Sequence, residues 1–128
     1  MSEYILDTNI LILHLRNRPD VTNLLKQWRQ SGKLYISTVM RTELITGMHP
    51  HEEERTLALL DSLVSLPVDS QIADLAGRLM YRYARRGITL GLPDTLIAAT
   101  AIVHNLTLAT SNVKHFPIPE LEIYPLTE

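Results

Sequence analysis

Apolar positions along this chain alternate between short runs of strand length and longer stretches with helical spacing, and the alternation predicts its elements. Tyr4-Ile5-Leu6 reads as a strand. The apolar residues from Ile10 to Leu15 then begin a helix that Asp7, Thr8 or Asn9 can cap, so Asp7 falls at the C-terminal end of the strand. Pro19 opens and Gly32 closes a second helix over Asp20 to Gln30, after which Leu34-Tyr35-Ile36-Ser37 reads as a strand. A third helix runs from Thr38 to Met48, ending near Gly47. The acidic Glu52-Glu53-Glu54 suits the N-terminal dipole of a fourth, predicted to reach about Ser65 with Leu57, Leu60 and Val64 on one stripe and Leu59 and Leu63 on another. A fifth spans about Gln71 to Arg86, with Ile72, Leu75, Ala76, Leu79, Met80 and Tyr83 facing a core and Gly87 as its stop. The sixth begins at Asp94 and ends near Asn105, followed by strands at Thr107-Leu108-Ala109-Thr110 and Leu121-Glu122-Ile123-Tyr124. Such alternation implies an α/β fold with a mostly parallel central sheet flanked by helices.

At 128 residues and 45 % hydrophobic, residues 1–128 form one domain of ordinary size with a proper core. No repeat, low-complexity tract or linker interrupts it. The longest apolar runs fall far short of the roughly 20 residues of a membrane helix, and acidic Glu3 and Asp7 stand where a secretory signal carries basic residues. With no cysteine, disulfides and thiolate metal sites are excluded, and the cytoplasm is the expected compartment. The net charge of −2 argues against a protein that holds nucleic acid by overall charge, so any contact with a polyanion must be local.

Three acids bring in the chemistry. Asp7 follows a strand in what reads as a parallel sheet, where ligands gather beyond the strand ends, although an Asp before a helix is more often a cap than a catalyst. Asp94, after Pro93 at a helix start, invites the same two readings. Glu43 is more awkward. An advance of about 100° per residue sets it between Val39 and Met40 with Gly47 close by, on a side that reads as buried or half-buried, and a buried Glu needs a partner. Thr110, Ser111 and Asn112 follow another strand and offer neutral oxygens, though turn chemistry alone also accounts for Ser-Asn. Hard oxygen donors at several strand ends, with no competing nucleophile arrangement, select Mg²⁺ or Mn²⁺.

Four segments in order then carry a likeness. Ile5-Leu6-Asp7-Thr8-Asn9, the helix-borne Glu43, Leu92-Pro93-Asp94-Thr95-Leu96-Ile97-Ala98-Ala99-Thr100-Ala101 and Leu108-Ala109-Thr110-Ser111-Asn112-Val113-Lys114-His115-Phe116 together resemble a PIN domain. The likeness covers essentially the whole chain and is similar to the small VapC toxins of bacterial type II toxin–antitoxin systems. It implies an α/β/α sandwich and a metal-dependent endoribonuclease whose acidic quartet maps to Asp7, Glu43, Asp94 and the Asn112 region. Asn112 is neutral where that pattern is acidic, and His115, three residues on, stands where many relatives carry Asp; three acids can hold one ion. Asp7 and Asp94 would ligate directly, Glu43 would ligate through water or activate it, and Thr8, Asn9, Thr110 and Asn112 would orient the surroundings. The products implied are a 5′-phosphate and a 3′-hydroxyl, and the partners an RNA, a VapB-like antitoxin and a second copy of the chain, the last consistent with two leucine stripes on the fourth helix.

These residues and their neighbours admit other readings. Arg78, Arg82, Arg85 and Arg86 form a stripe beside the apolar face of the fifth helix, either an RNA-binding track near Asp94 or an ordinary solvated face. His49 and His51 match no standard zinc spacing and read as loop. A haloacid-dehalogenase phosphatase pairs its nucleophilic Asp with another two residues on, where this chain has Asn9. A housekeeping PIN ribonuclease of RNA maturation shares the chemistry without the antitoxin, and a degenerate module would bind RNA or protein without cutting.

Overall fold

Tyr4-Ile5-Leu6 is apolar on both faces, so the strand it forms must be covered on both sides, as the inner strands of a parallel sheet are. The computed structural model describes residues 3–127 and sets this strand, β1 (Tyr4–Leu6), at the centre. Around it lie β2 (Leu34–Ser37), β3 (Val64–Leu66), β4 (Thr107–Thr110) and β5 (Ile123–Pro125), all parallel, in the order β3-β2-β1-β4-β5. Ile5 pairs with Tyr35 on one side and Leu108 on the other. The helices are α1 (Thr8–Leu15), α2 (Pro19–Ser31), α3 (Thr38–Gly47), α4 (Glu53–Asp61), α5 (Ser70–Ala84) and α6 (Leu92–Val103).

Strand order decides where a ligand goes. The chain builds outward from β1 to β3, then returns through α5 and α6 to lay β4 on the opposite side of β1. Connections therefore leave the C-terminal ends of β1 and β4 in different directions and open a crevice between them, the topological switch point at which open α/β sheets bind ligands. Ile5, Leu6, Ile10, Ile36, Met40, Ile97 and Leu108 are fully buried beneath it. Ile72, Ala76 and Ala99 make a smaller apolar contact joining α5 to α6, where two alanines let the helices approach closely.

Four expectations need correction. The fourth helix does not run to Ser65: α4 stops at Asp61, and Val64-Ser65-Leu66 pairs with β2 as an edge strand. Leu60 and Leu63 are buried and Leu59 packs against the core, so the second leucine stripe is used within the fold and does not mark a surface for association. The sixth helix begins at Leu92, which makes Asp94 its third residue and not its cap. The last strand shifts to Ile123–Pro125 while Leu121 turns into the core. Among the described residues no helix is long and apolar enough to cross a membrane.

Candidate active site

Asp7 leaves β1 in extended conformation, its N–H still in the sheet and donating to the Ala109 carbonyl at 3.0 Å. Its side chain then does two things. Oδ1 accepts from the Thr8 N–H at 2.8 Å, capping α1, and Oδ2 accepts from the Thr110 hydroxyl at 2.7 Å across the switch point. Cap and site residue are thus the same group, only 4 % exposed. Burial pushes its carboxyl above the ordinary range, against the opposing pull of the Thr110 hydroxyl, the Thr8 N–H and the charge of His115.

Glu43 comes from α3, whose N-terminus is capped by the Ser37 hydroxyl accepting from the Val39 N–H. The helix buries Met40 and Leu44 and leaves Glu43 half-buried beside them, where Oε1 accepts from the Thr8 hydroxyl at 2.7 Å. That is the partner its position demanded. Thr8 therefore ties Glu43 to the residue that immediately follows Asp7.

Asp94 sits in the first turn of α6, where the exposed backbone N–H groups favour a carboxylate. Its Oδ2 lies 3.5 Å from His115 Nδ1. Burial is the largest influence raising its carboxyl, the negative charge of Asp7 adds to it, His115 opposes, and Glu43 raises it further. Three acids from three separate elements therefore share one electrostatic neighbourhood. Among the described residues no three acidic, imidazole or thiol groups are grouped closely enough to hold an ion; Glu43 accepts from Thr8 and Asp94 faces His115.

A family model of the PIN domain matches residues 4–118, which include every group just described. The chain belongs to the PIN-domain family. Within it the likeness is to VapC-type toxins. Ribonuclease VapC10 of Mycobacterium tuberculosis is 44 % identical over 116 residues, covering 91 % of this chain and 87 % of that protein. The tRNA(fMet)-specific endonuclease VapC of Shigella flexneri is 34 % identical, covering 91 % of each chain. Among solved structures, VapBC2 from Rickettsia felis, bound to a DNA fragment from its promoter, superposes with a TM-score of 0.86 at 26 % identity, covering 98 % of this chain and 99 % of the other.

The remaining sequence candidates of this PIN domain divide into two groups. Thr110 lies inside the site, fully buried, donating to Asp7 and accepting from the Asn112 N–H at 2.9 Å, while Asn9 donates to the Ser111 hydroxyl at 3.4 Å. Asn112 thus enters the network through its backbone. Arg78, Arg82, Arg85 and Arg86 instead line an open groove of their own along α5 with Gly77 and Tyr81. Arg85 stacks over the Tyr81 ring and hydrogen-bonds its hydroxyl, and Arg86 lies over Tyr83. His49 and His51 stack on each other where Glu52 closes a capping box, which gives their loop a structural purpose.

Sequence reasoning left out Lys114 and His115 as site residues. Both line the cleft beside Asp94. The signal was their place between Asn112 and an apolar Phe116, since a buried anchor fixes which way its neighbours point.

The raised carboxyls carry a stability prediction. Asp7 and Asp94 bind protons more readily in the folded chain than in the unfolded one, where aspartate titrates at about 3.9. Their ionisation therefore costs stability, a cost absent below about pH 3.9 and complete above the folded values. Without divalent ions, Asp94→Asn should melt at a higher temperature than wild type at neutral pH, and its advantage should shrink toward zero on acidification. Thermal melts across that range check it; an advantage independent of pH would remove charge repulsion as the cause.

Proposed function

We propose that this chain is a metal-dependent endoribonuclease, the toxin of a VapBC-like type II system, working as one folding unit in the cytoplasm. The observation that carries the reading is the convergence on Asp94 of the charges of Asp7 and Glu43 at the switch point of the sheet. Carboxylates with hydroxyl neighbours and no thiolate fit a hard divalent cation, and repulsion among them is what such a cation relieves. Asp7, Glu43 and Asp94 would hold Mg²⁺ or Mn²⁺. When bound, the ion supplies positive charge against a phosphate oxygen and acidifies water for in-line attack.

The chain's own residues do the rest. Thr110 and the Thr8 N–H fix both oxygens of Asp7, so that its orientation is set before substrate arrives. Glu43, held at Oε1 by Thr8, takes the proton of the attacking water at Oε2. Asn9 and Asn112 support the turn that follows Thr110, and the arginines at the end of α5 bind the RNA backbone. Purified protein should cut RNA internally to a 5′-phosphate and a 3′-hydroxyl, and initiator tRNA is the first substrate to try given the Shigella relative. Cyclic 2′,3′-phosphate ends would mean that the 2′-hydroxyl, and not water, attacks, and would sink the mechanism.

Association belongs to the same reading. The solved VapBC2 complex supports an antitoxin partner. A homodimer is the assembly this reading expects, and Ile45 on α3 and Leu92 on α6, exposed by 39 % and 57 %, are apolar side chains available to it. Light scattering on protein purified with its neighbouring operon product should give a dimer carrying a small bound partner. A monomer at micromolar concentration would count against the dimer, and a toxin that purifies without the product would count against the antitoxin.

A further inference from the structure

The cleft beside Asp94 has two walls. Ile88, Leu90 and Gly91 from the α5–α6 connection form one, and Lys114 and His115 form the other. It is an open cleft of about 230 Å³. His115 faces Asp94, while Lys114 is exposed and makes no ion pair among the described residues.

Lys114 is carried on a hydrogen-bonded turn. The Asn112 N–H donates to the Thr110 hydroxyl, the His115 N–H to the Asn112 carbonyl at 3.0 Å and the Phe116 N–H to the Val113 carbonyl at 3.0 Å. Phe116 and Ile118 then anchor the segment in the core. A surface lysine normally sweeps a wide volume; this one starts from a fixed turn at the lip of a cleft whose far side holds a carboxylate. The basic end of α5 also leads here, because Arg86 precedes Ile88 by two residues.

We propose that this cleft is a subsite for a backbone phosphate flanking the bond to be cut, held by the Lys114 ammonium, with Arg85 and Arg86 guiding the strand into it. The proposal rests on the ribonuclease reading and adds the course of the RNA beside Asp94. An ammonium suits the task, since it meets a phosphate as a compact point charge and adapts to either of its free oxygens.

A short single-stranded RNA that the protein cuts at one mapped bond is the probe, together with copies in which a neutral methylphosphonate replaces each phosphate flanking the cut. Binding is read in EDTA by fluorescence anisotropy and cleavage in Mn²⁺. Lys114→Met should weaken binding roughly three- to tenfold and lower the slope of log Kd against log salt by about 0.7. It should raise KM with kcat nearly unchanged, and Lys114→Arg should recover most of the loss. At one methylphosphonate position the difference between wild type and Lys114→Met should vanish. An equal loss from Lys26→Met on α2, or no position at which the difference vanishes, would overturn the subsite while leaving the nuclease intact. Wild-type protein that cuts no RNA at all would overturn the ribonuclease reading and the subsite with it.

Discussion

Asp94→Asn is expected to lower RNA cleavage by at least about 10²–10³-fold, the scale of removing one electrostatic group aimed at a reacting centre, and to do so in a protein that melts no lower than wild type. The two halves of that result belong together. Asp94 is raised by burial and by the charges of Asp7 and Glu43, so its ionised form is held against a local penalty that the amide does not suffer. Glu43→Gln should behave similarly, because an amide oxygen still accepts from the Thr8 hydroxyl. Asp7→Asn is the mixed case. It gains relief from burial of a charge but must accommodate both the Thr8 N–H and the Thr110 hydroxyl with one carbonyl oxygen, so its melting temperature should stay near that of wild type. Single-turnover cleavage with parallel melts tests all three; a steep fall in melting temperature for Asp94→Asn would reassign it as a structural residue of the α6 terminus.

Removal of divalent ions should be equally severe. EDTA is expected to stop cleavage and Mg²⁺ or Mn²⁺ to restore it, since the site offers hard oxygen donors and no other evident electrophile for a phosphate. A second readout avoids dependence on turnover. An ion that binds the folded chain and not the unfolded one raises stability by about 2.7 kcal/mol at a hundredfold excess over its Kd, so Mn²⁺ should raise the melting temperature of wild type. Asp94→Asn should lose most of that response. Undiminished cutting by metal-stripped protein, or an equal Mn²⁺ shift in the variant, would overturn the assignment of the three carboxylates to the ion.

Much of this architecture was legible because its strands are buried on both faces and its helices carry clear stops. β1, β2 and β4 fall on the apolar runs that predicted them, and Gly87 ends the α5 turn with the positive φ of 78° that favours glycine. The failure at β3 has a specific cause. Leu57, Leu60 and Val64 keep helical spacing through the end of α4, no Gly or Pro separates helix from strand, and the segment becomes β3 through its parallel pairing with β2. The start of α6 was placed two residues late because Pro93 can occupy either of the first two helical positions; here it is the second, and Gly91 takes the cap.

The candidate site was legible as residue types and not as contacts. Glu43 betrayed itself by sitting on a half-buried face, which required a partner but could not name Thr8. The link from Asp7 to Thr110 spans 103 residues, beyond any local pattern. Lys114 was given no role and His115 was noted only as standing where relatives carry Asp, because their place beside Asp94 depends on a short 3₁₀ turn at Val113–His115 folding back toward α6. The arginine stripe lies on the exposed face at the C-terminal half of α5, and its groove shares no lining residue with the cleft that holds Asp94.

The order of the sheet also makes chemistry a late event in the life of each molecule. β1 is made first and lies at the centre, yet one of its edges stays open until β4 has crossed back over the sheet to meet it. Pairings so distant in sequence form slowly and carry a high entropic cost of closure. A nascent or partly unfolded chain can possess Asp7, Thr8 and Glu43 in working order and still lack the hydroxyl that orients Asp7. In the toxin reading, a chain whose β4 is not yet paired with β1 lacks the Thr110 hydroxyl that orients Asp7, so its centre is incomplete until that pairing forms.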